Sequence, residues 1–536
     1  MAAPAAAGGN DAGARVYNIR DFGAKGDGKT LDTAALQAAI DACTRDGGGT
    51  VLVPTGTFQI GTTELKSNVT LHLAASALLQ GSGDGRQYHA VDAIPLSGDS
   101  TLGDGNWALL FAVNAKNITV EGAGTIDGQG AEFFNYSKAK EPPRSGLKGP
   151  QRPYHLLFHR CENLVVRDIR LIRCAFHSIR VIQSEQVRME GLYIHNRVNT
   201  NNDGFHFISA KHVLISNCTV LCQDDACALF GGCQFVTVTN CTFSTRWSVF
   251  RFGGGQVKNI AVSNCLIYET YGCPIKIGAG GSQIENLSFS NIIFDRVTGP
   301  IGINFTSHAR NNNNNEAPRP DVPPSFVRNL SFNHIRARTV TEPVDSYGDM
   351  ATIGTVYAGE QHSCITLNGM GNAMIENVSF DDVHITFAGG GTAELAAKRK
   401  IPETAREYFG TWSEEPFGPP AYGMYARNVR GLTLNNVRFE VASPDLRPAL
   451  VFDNVQDASL RGLSLQGNSA GESVLRFTRV QDVLIASARL ISPAEAFLQL
   501  EGDQNSGITL EGGDLTKAKM PLAFRDGATD AAVRKT

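Results

Sequence analysis

Three aspartates dominate any search of this sequence for chemistry. Asp203 lies in Asn201-Asn202-Asp203-Gly204, and Asp224 and Asp225 follow 21 and 22 residues later in Gln223-Asp224-Asp225-Ala226-Cys227. If that spacing is one turn of a repeating chain, stacked strands about 4.8 Å apart bring the carboxyls onto one face. Hydrolysis of a glycosidic bond needs such a group, because one carboxyl must protonate the departing oxygen while another activates water. Crowded anions also raise the pKa of one member, which keeps a proton on it near neutral pH. Separately, Asn-Asn-Asp-Gly is an ordinary turn sequence and an Asp-Asp pair is ordinarily solvated surface. Their register is what gives them meaning, and the strands of the repeat set that register.

Short runs of alternating apolar and polar residues recur along the chain, the period of half-buried strands. Their reference apolar residues are Leu164, Val187, Val213, Val236, Ile260 and Leu287, at steps of 23, 26, 23, 24 and 27 residues. Leu330, Val378, Leu432, Ala458, Val483 and Ile508 continue the series after longer gaps, and its last three steps are 26, 25 and 25. No amphipathic helix of about ten residues or more separates the strands, which excludes a doubly wound sheet or a TIM barrel. The pattern predicts an all-β fold, a single-stranded right-handed parallel β-helix in which each coil stacks on the next.

Four residues after the reference positions stand Asn217, Asn240, Asn264, Asn291 and Asn436, expected to form a buried amide ladder. Cys218, Cys241 and Cys265 follow three of them and read as packed thiols rather than disulfides. Thr33 to Cys43 (TAALQAAIDAC) is an amphipathic helix suited to capping the first coils, with Asp32 or Thr33 as its N-cap. Residues 1–15 read as a disordered edge and 16–536 as the β-helix. The segment after Lys517 shows no strand pattern and is expected to cover the far end or fray. Long insertions are expected near 307–325 and 387–428. The second carries Tyr408, Phe409, Trp412, Phe417, Tyr422 and Tyr425, which suit either a sugar cleft or anchorage to the coils.

Composition narrows the classes. Of 536 residues 42% are apolar and 19% charged, which argues against wholesale disorder, and the 56 glycines suit many tight turns. A net charge of -4 makes no electrostatic case for nucleic acid or an anionic membrane. No apolar run approaches the roughly 20 residues of a spanning helix. Eleven cysteines lack the clustering of a zinc site, and no cofactor is expected. The expected partner is a carbohydrate, and the expected location is secreted or periplasmic, with a leader peptide already removed; cytoplasmic residence is the alternative.

Asp21-Phe-Gly-Ala-Lys-Gly-Asp-Gly28, Gly124-Thr-Ile-Asp-Gly-Gln-Gly130 and the acidic motifs together resemble glycoside hydrolase family 28, the polygalacturonase-like β-helices, from about residue 16 to at least residue 440. The resemblance implies that Asn201-Asn202-Asp203 stands for an Asn-Thr-Asp motif and Asp224-Asp225 for an Asp-Asp-Cys-like one, with Ala226 before Cys227. It implies Asp224 as general acid, Asp203 and Asp225 as holders of the attacking water, inversion at the anomeric carbon, and no metal.

Four places depart from the family pattern. Thr245-Arg246-Trp247-Ser248 replaces a Gly-His-Gly motif, with Trp247 near the histidine position. Pro274-Ile275-Lys276 replaces Arg-Ile-Lys, His206 replaces an aspartate, and no tyrosine matches near Ile303 to Ser307. The loss of an arginine fork argues against ordinary polygalacturonan. Substrate contacts are expected from Asn201, His206, Trp247, Arg251 and Lys276, with exo action and a non-galacturonate sugar such as rhamnose. A β-helix lyase or epimerase, using Lys276 and Arg251 as cations, and a non-catalytic glycan-binding solenoid are the alternatives.

Overall fold

A computed structural model describes residues 15–92, 94, 106–133, 145–146, 151–279, 281–306, 324–342, 359–371, 373–401 and 418–536. The chain is built of parallel coils, and the right-handed parallel β-helix expected from the repeat is the fold class observed. Its contacts group into two compact units: Met1–Asn202 with Ala210–Thr219, and Asp203–Ser209 with Val220–Thr536.

In the first unit the reference positions pair as the period requires, Leu164 with Val187 and Val187 with Val213, and Leu164 also pairs back to Ile118. The helix Thr33–Arg45 buries Leu36, Ala39, Ile40, Ala42 and Cys43. Asp32 stands at its N-cap, but the carboxylate does not cap the helix. It accepts instead from the Lys25 and Gly26 amides, at 2.7 and 3.0 Å, and so folds the Asp21–Gly28 loop.

In the second unit one unbroken register joins Val236, Ile260, Leu287, Leu330, Val378, Leu432, Ala458, Val483 and Ile508. Long insertions between coils leave this register unchanged, because each strand bonds to the coil before and the coil after, not to its chain neighbour. Phe289, Phe332 and Phe380 stack inside it with ring centroids 5.2 and 4.9 Å apart. Each such contact contributes about 0.5–1.5 kcal/mol beyond area burial.

Several expectations are corrected. Asn217, Asn240, Asn264, Asn291 and Asn436 are exposed, not buried. Asn291 does donate to Asn264 at 2.7 Å. All five have φ between 51° and 57°, and asparagine serves there because it tolerates left-handed backbone. The Cys218, Cys241 and Cys265 thiols are buried as expected, each bonded to the carbonyl two residues earlier at 3.2 Å.

The segment after Lys517 is not irregular. Strands Ala518–Arg525 and Val533–Lys535 add a coil, and Met520 and Phe524 stay exposed on it. The second insertion is shorter than expected, since strand Ile375–Gly389 runs past Phe387 and strand Met424–Ser443 already contains Tyr425. Tyr422 is buried, packs edge-on to Phe387 and donates to the Gln466 carbonyl at 2.7 Å, so it anchors the chain. Tyr408, Phe409, Trp412 and Phe417, residues 307–323 of the other insertion and residues 1–14 lie outside the described residues. Among the described residues no helix is long and apolar enough to cross a membrane.

Candidate active site

The second unit carries a file of register-matched strands, Phe205–Ile208, Cys227–Phe230, Phe250–Gly253 and Ile275–Ala279. His206 pairs with Ala228, Ala228 with Arg251, and Arg251 with Lys276. Three residues before the first three of these stand Asp203, Asp225 and Ser248. Gly204 donates its amide to the Asp225 carbonyl at 3.0 Å, and Ala226 to the Ser248 carbonyl at 2.8 Å. Asp203, Asp225 and Ser248 are therefore one position repeated on three coils, and Asp224 with Trp247 is the position before it.

Each carboxylate is held differently. Asp203 is buried, and its Oδ2 lies 2.7 Å from His206 Nδ1. Asp225 is buried and accepts through Oδ1 from the Ser248 hydroxyl. Asp224 is half-buried, the most accessible of the three, and its Oδ1 accepts from the Asp225 amide at 2.9 Å. Its carbonyl accepts from the Thr245 hydroxyl, which in turn accepts from the Trp247 amide at 3.2 Å. The turn that presents Asp224 is thus fixed by the coil that presents Trp247.

The cations lie one and two coils further along. Lys276 is fully buried with Nζ 4.1 Å from the centroid of the half-buried Trp247 ring. Arg246, also buried, has its guanidinium carbon 5.5 Å from the same ring and its Nη2 3.5 Å from Glu360. Arg251 is half-buried, donates to the Phe252 carbonyl at 3.0 Å and lies 5.6 Å from the Phe230 ring. Burial pushes the Cys273 thiol up to about 12, against the opposing pull of Lys276 and Arg251. Gly272 lets the coils close here, since a β-carbon on it would meet the Trp247 Cα at 2.8 Å.

The structure brings together seven of the eight residues singled out from the sequence. The eighth, Asn201, belongs to the first unit, where its Oδ1 accepts from Arg152 at 3.2 Å. Two partners escaped the sequence reading. Ser248 follows Asp225 by 23 residues, so extending the period one coil further would have found it. Glu360 comes from an insertion, on a short 3-10 turn, and has no periodic signal.

This arrangement offers a half-exposed carboxyl beside two buried ones that are each tied to a neighbour, the asymmetry acid–base chemistry on a glycoside requires. Comparison with known proteins agrees with the reading. The model of glycosyl hydrolases family 28 matches residues 43–398. An exopolygalacturonase of Platanus acerifolia is 26% identical over 60% of this chain and 82% of its own. One of Arabidopsis thaliana is 27% identical over 62% of this chain and 75% of its own. The solved family 28 exopolygalacturonase of Yersinia enterocolitica shares the fold at 21% identity with a TM-score of 0.58, covering 83% of this chain and 78% of that one.

Proposed function

This chain belongs to glycosyl hydrolases family 28 and is a glycoside hydrolase, and on that premise we propose that it shortens a pectin-related chain from one end by an inverting displacement. Asp224 protonates the departing oxygen, and Asp203 and Asp225 hold the water that attacks the anomeric carbon. The observation that carries this reading is the repeated position of Asp203 and Asp225 on consecutive coils, with Asp224 more accessible beside them. His206 and Ser248 each fix one oxygen of a water-holding carboxylate, so the pair meets the water in a set orientation.

Exo action is supported by the relatives' names and by the segment past Gly389. Arg427 donates to the Ile401 carbonyl, and Arg476 to the Ala396 and Lys398 carbonyls. Both arginines lie on later coils of the strand set that carries Arg251 and Lys276, so this segment lies across that set. A neutral unit such as rhamnose beside Trp247 is supported by the engagement of Arg251 with its own strand and the burial of Lys276. The protein acts outside the cytoplasm, where pectic chains are found. Incubation with defined pectic oligosaccharides tests the reading: terminal units and new reducing ends are expected. An unsaturated, ultraviolet-absorbing product would instead mean elimination.

A further inference from the structure

Arg180, in the first unit, lies on strand Ile179–Ile182 and is 1% exposed. Its Nη1 donates to the Tyr154 hydroxyl at 2.7 Å, and its guanidinium carbon lies 5.3 Å from the centroid of that ring. Nε and Nη2 are both buried, and neither has a hydrogen-bond partner among the described residues. Two residues earlier, leading into the same strand, Ser178 is fully buried and its Oγ is likewise without a partner. Tyr154 is itself stacked on Phe176 at 5.2 Å, so the Tyr154 contact sits on a fixed support.

A guanidinium cannot shed its charge in a protein, and a buried cation without an anion is costly. A tyrosine hydroxyl satisfies one N–H and neutralises nothing. The two open nitrogens are Nε and Nη2, which form one planar edge of the group, spaced to meet both oxygens of a carboxylate at once. With the guanidinium this deeply buried, a carboxylate reaching it is stripped of water, and its attraction to the fork is correspondingly strong.

We propose that Arg180 and Ser178 form a carboxylate-binding site that takes the acid group of a uronate unit, with Nε and Nη2 as the fork and Ser178 Oγ as a third donor. The choice of a sugar acid rests on the pectin reading above; the preference for a carboxylate rests on Arg180 alone.

Calorimetry of the full chain with D-galacturonate and with D-galactose, which differ at the C6 carboxylate, tests it. Galacturonate is expected to bind at least about tenfold more tightly than galactose. Arg180→Met should abolish that preference and raise the melting temperature of the unliganded protein, since it removes a buried charge that has no carboxylate partner among the described residues. Arg180→Lys should not restore the preference, because an ammonium offers no fork, and Ser178→Ala should weaken it partly. Equal affinity for the two sugars, or no binding of galacturonate, overturns the proposal. So does an Arg180→Met protein that melts lower and keeps the preference, which would make Arg180 a structural residue. Binding is read without turnover. A preference for galacturonate in a protein that cleaves nothing would therefore keep this site and sink the hydrolase reading, and turnover without the preference would do the reverse.

Discussion

Ser248 stands one coil on from Asp225, in the same place in its coil, and donates its hydroxyl to Asp225 Oδ1. The contact fixes one oxygen of a carboxylate proposed to hold the attacking water. A hydrogen bond to a charged group contributes about 1.5–3 kcal/mol. Ser248→Ala is therefore expected to lower kcat by roughly 10- to 100-fold with little change in KM, by the conversion of 1.36 kcal/mol per tenfold. Ser248→Thr, which keeps the hydroxyl, should recover much of that loss. Steady-state kinetics of the two variants check this, and an unchanged kcat in Ser248→Ala would remove Ser248 from the mechanism.

Asp224, as general acid, should matter most where the leaving group needs a proton. Asp224→Asn is expected to reduce kcat by roughly 100- to 10,000-fold on an oligosaccharide. The loss should be much smaller on an aryl glycoside whose phenol departs unprotonated. Rates on the two substrate types, compared within the variant, read the effect. Equal losses on both would assign Asp224 some other role.

Trp247 is placed by a glycine as much as by its own contacts. A β-carbon at 272 would press on the Trp247 backbone at 2.8 Å, where no flexible tip can give way. Gly272→Ala should therefore shift Trp247, raise KM several-fold and approach the phenotype of Trp247→Ala. A Gly272→Ala protein with normal KM would show that the ring's position does not govern substrate binding.

Much of this was legible in the sequence, for physical reasons that differ from residue to residue. The reference positions from Leu164 to Ile508 were readable because a parallel coil must present an apolar side chain at the same place each turn, whatever is inserted between. The placement of Asp203 and Asp225 at one position on neighbouring coils was readable for the same reason. The burial of the asparagines is not legible because one residue type serves two ends, an amide ladder and a left-handed turn; the Asn291–Asn264 ladder contact forms, but on exposed turns with positive φ. The final coil was missed because Met520, Leu522 and Phe524 alternate correctly, yet lie on a strand that ends the stack and is mostly uncovered. Glu360 and the segment around Ala396 reach the strands from insertions, where no period applies.

His155 predicts the direction of the pH response of stability. It is fully buried, its Nε2 lies 2.9 Å from the Ile172 carbonyl, and burial pushes its pKa from 6.5 down to about 4. Between those values the unfolded chain binds a proton that the folded chain refuses, so stability is complete above about 6.5 and falls as pH drops toward about 4. The contribution over that window is about 3 kcal/mol. Denaturant unfolding near neutral pH and near the lower limit should show the loss, and His155→Asn should flatten this part of it.

The buried thiols give a chemical check on the coils. Burial pushes Cys174, Cys265, Cys273 and Cys364 up to about 12, so their reactive thiolates are scarce at neutral pH. Alkylation followed by mass spectrometry should leave these four unmodified in the native protein and label them after denaturation. Rapid native labelling of Cys265 or Cys273 would mean the coils around the site open readily.

The proposed reaction is a single displacement by water held between Asp203 and Asp225, with Asp224 as acid. Proton nuclear magnetic resonance of the first sugar released, recorded before mutarotation, tests it most directly. This sugar is expected to appear with the anomeric configuration opposite to that of the bond cleaved, and then to equilibrate. First release with the original configuration retained would require a covalent intermediate, and would contradict the assignment of all three aspartates.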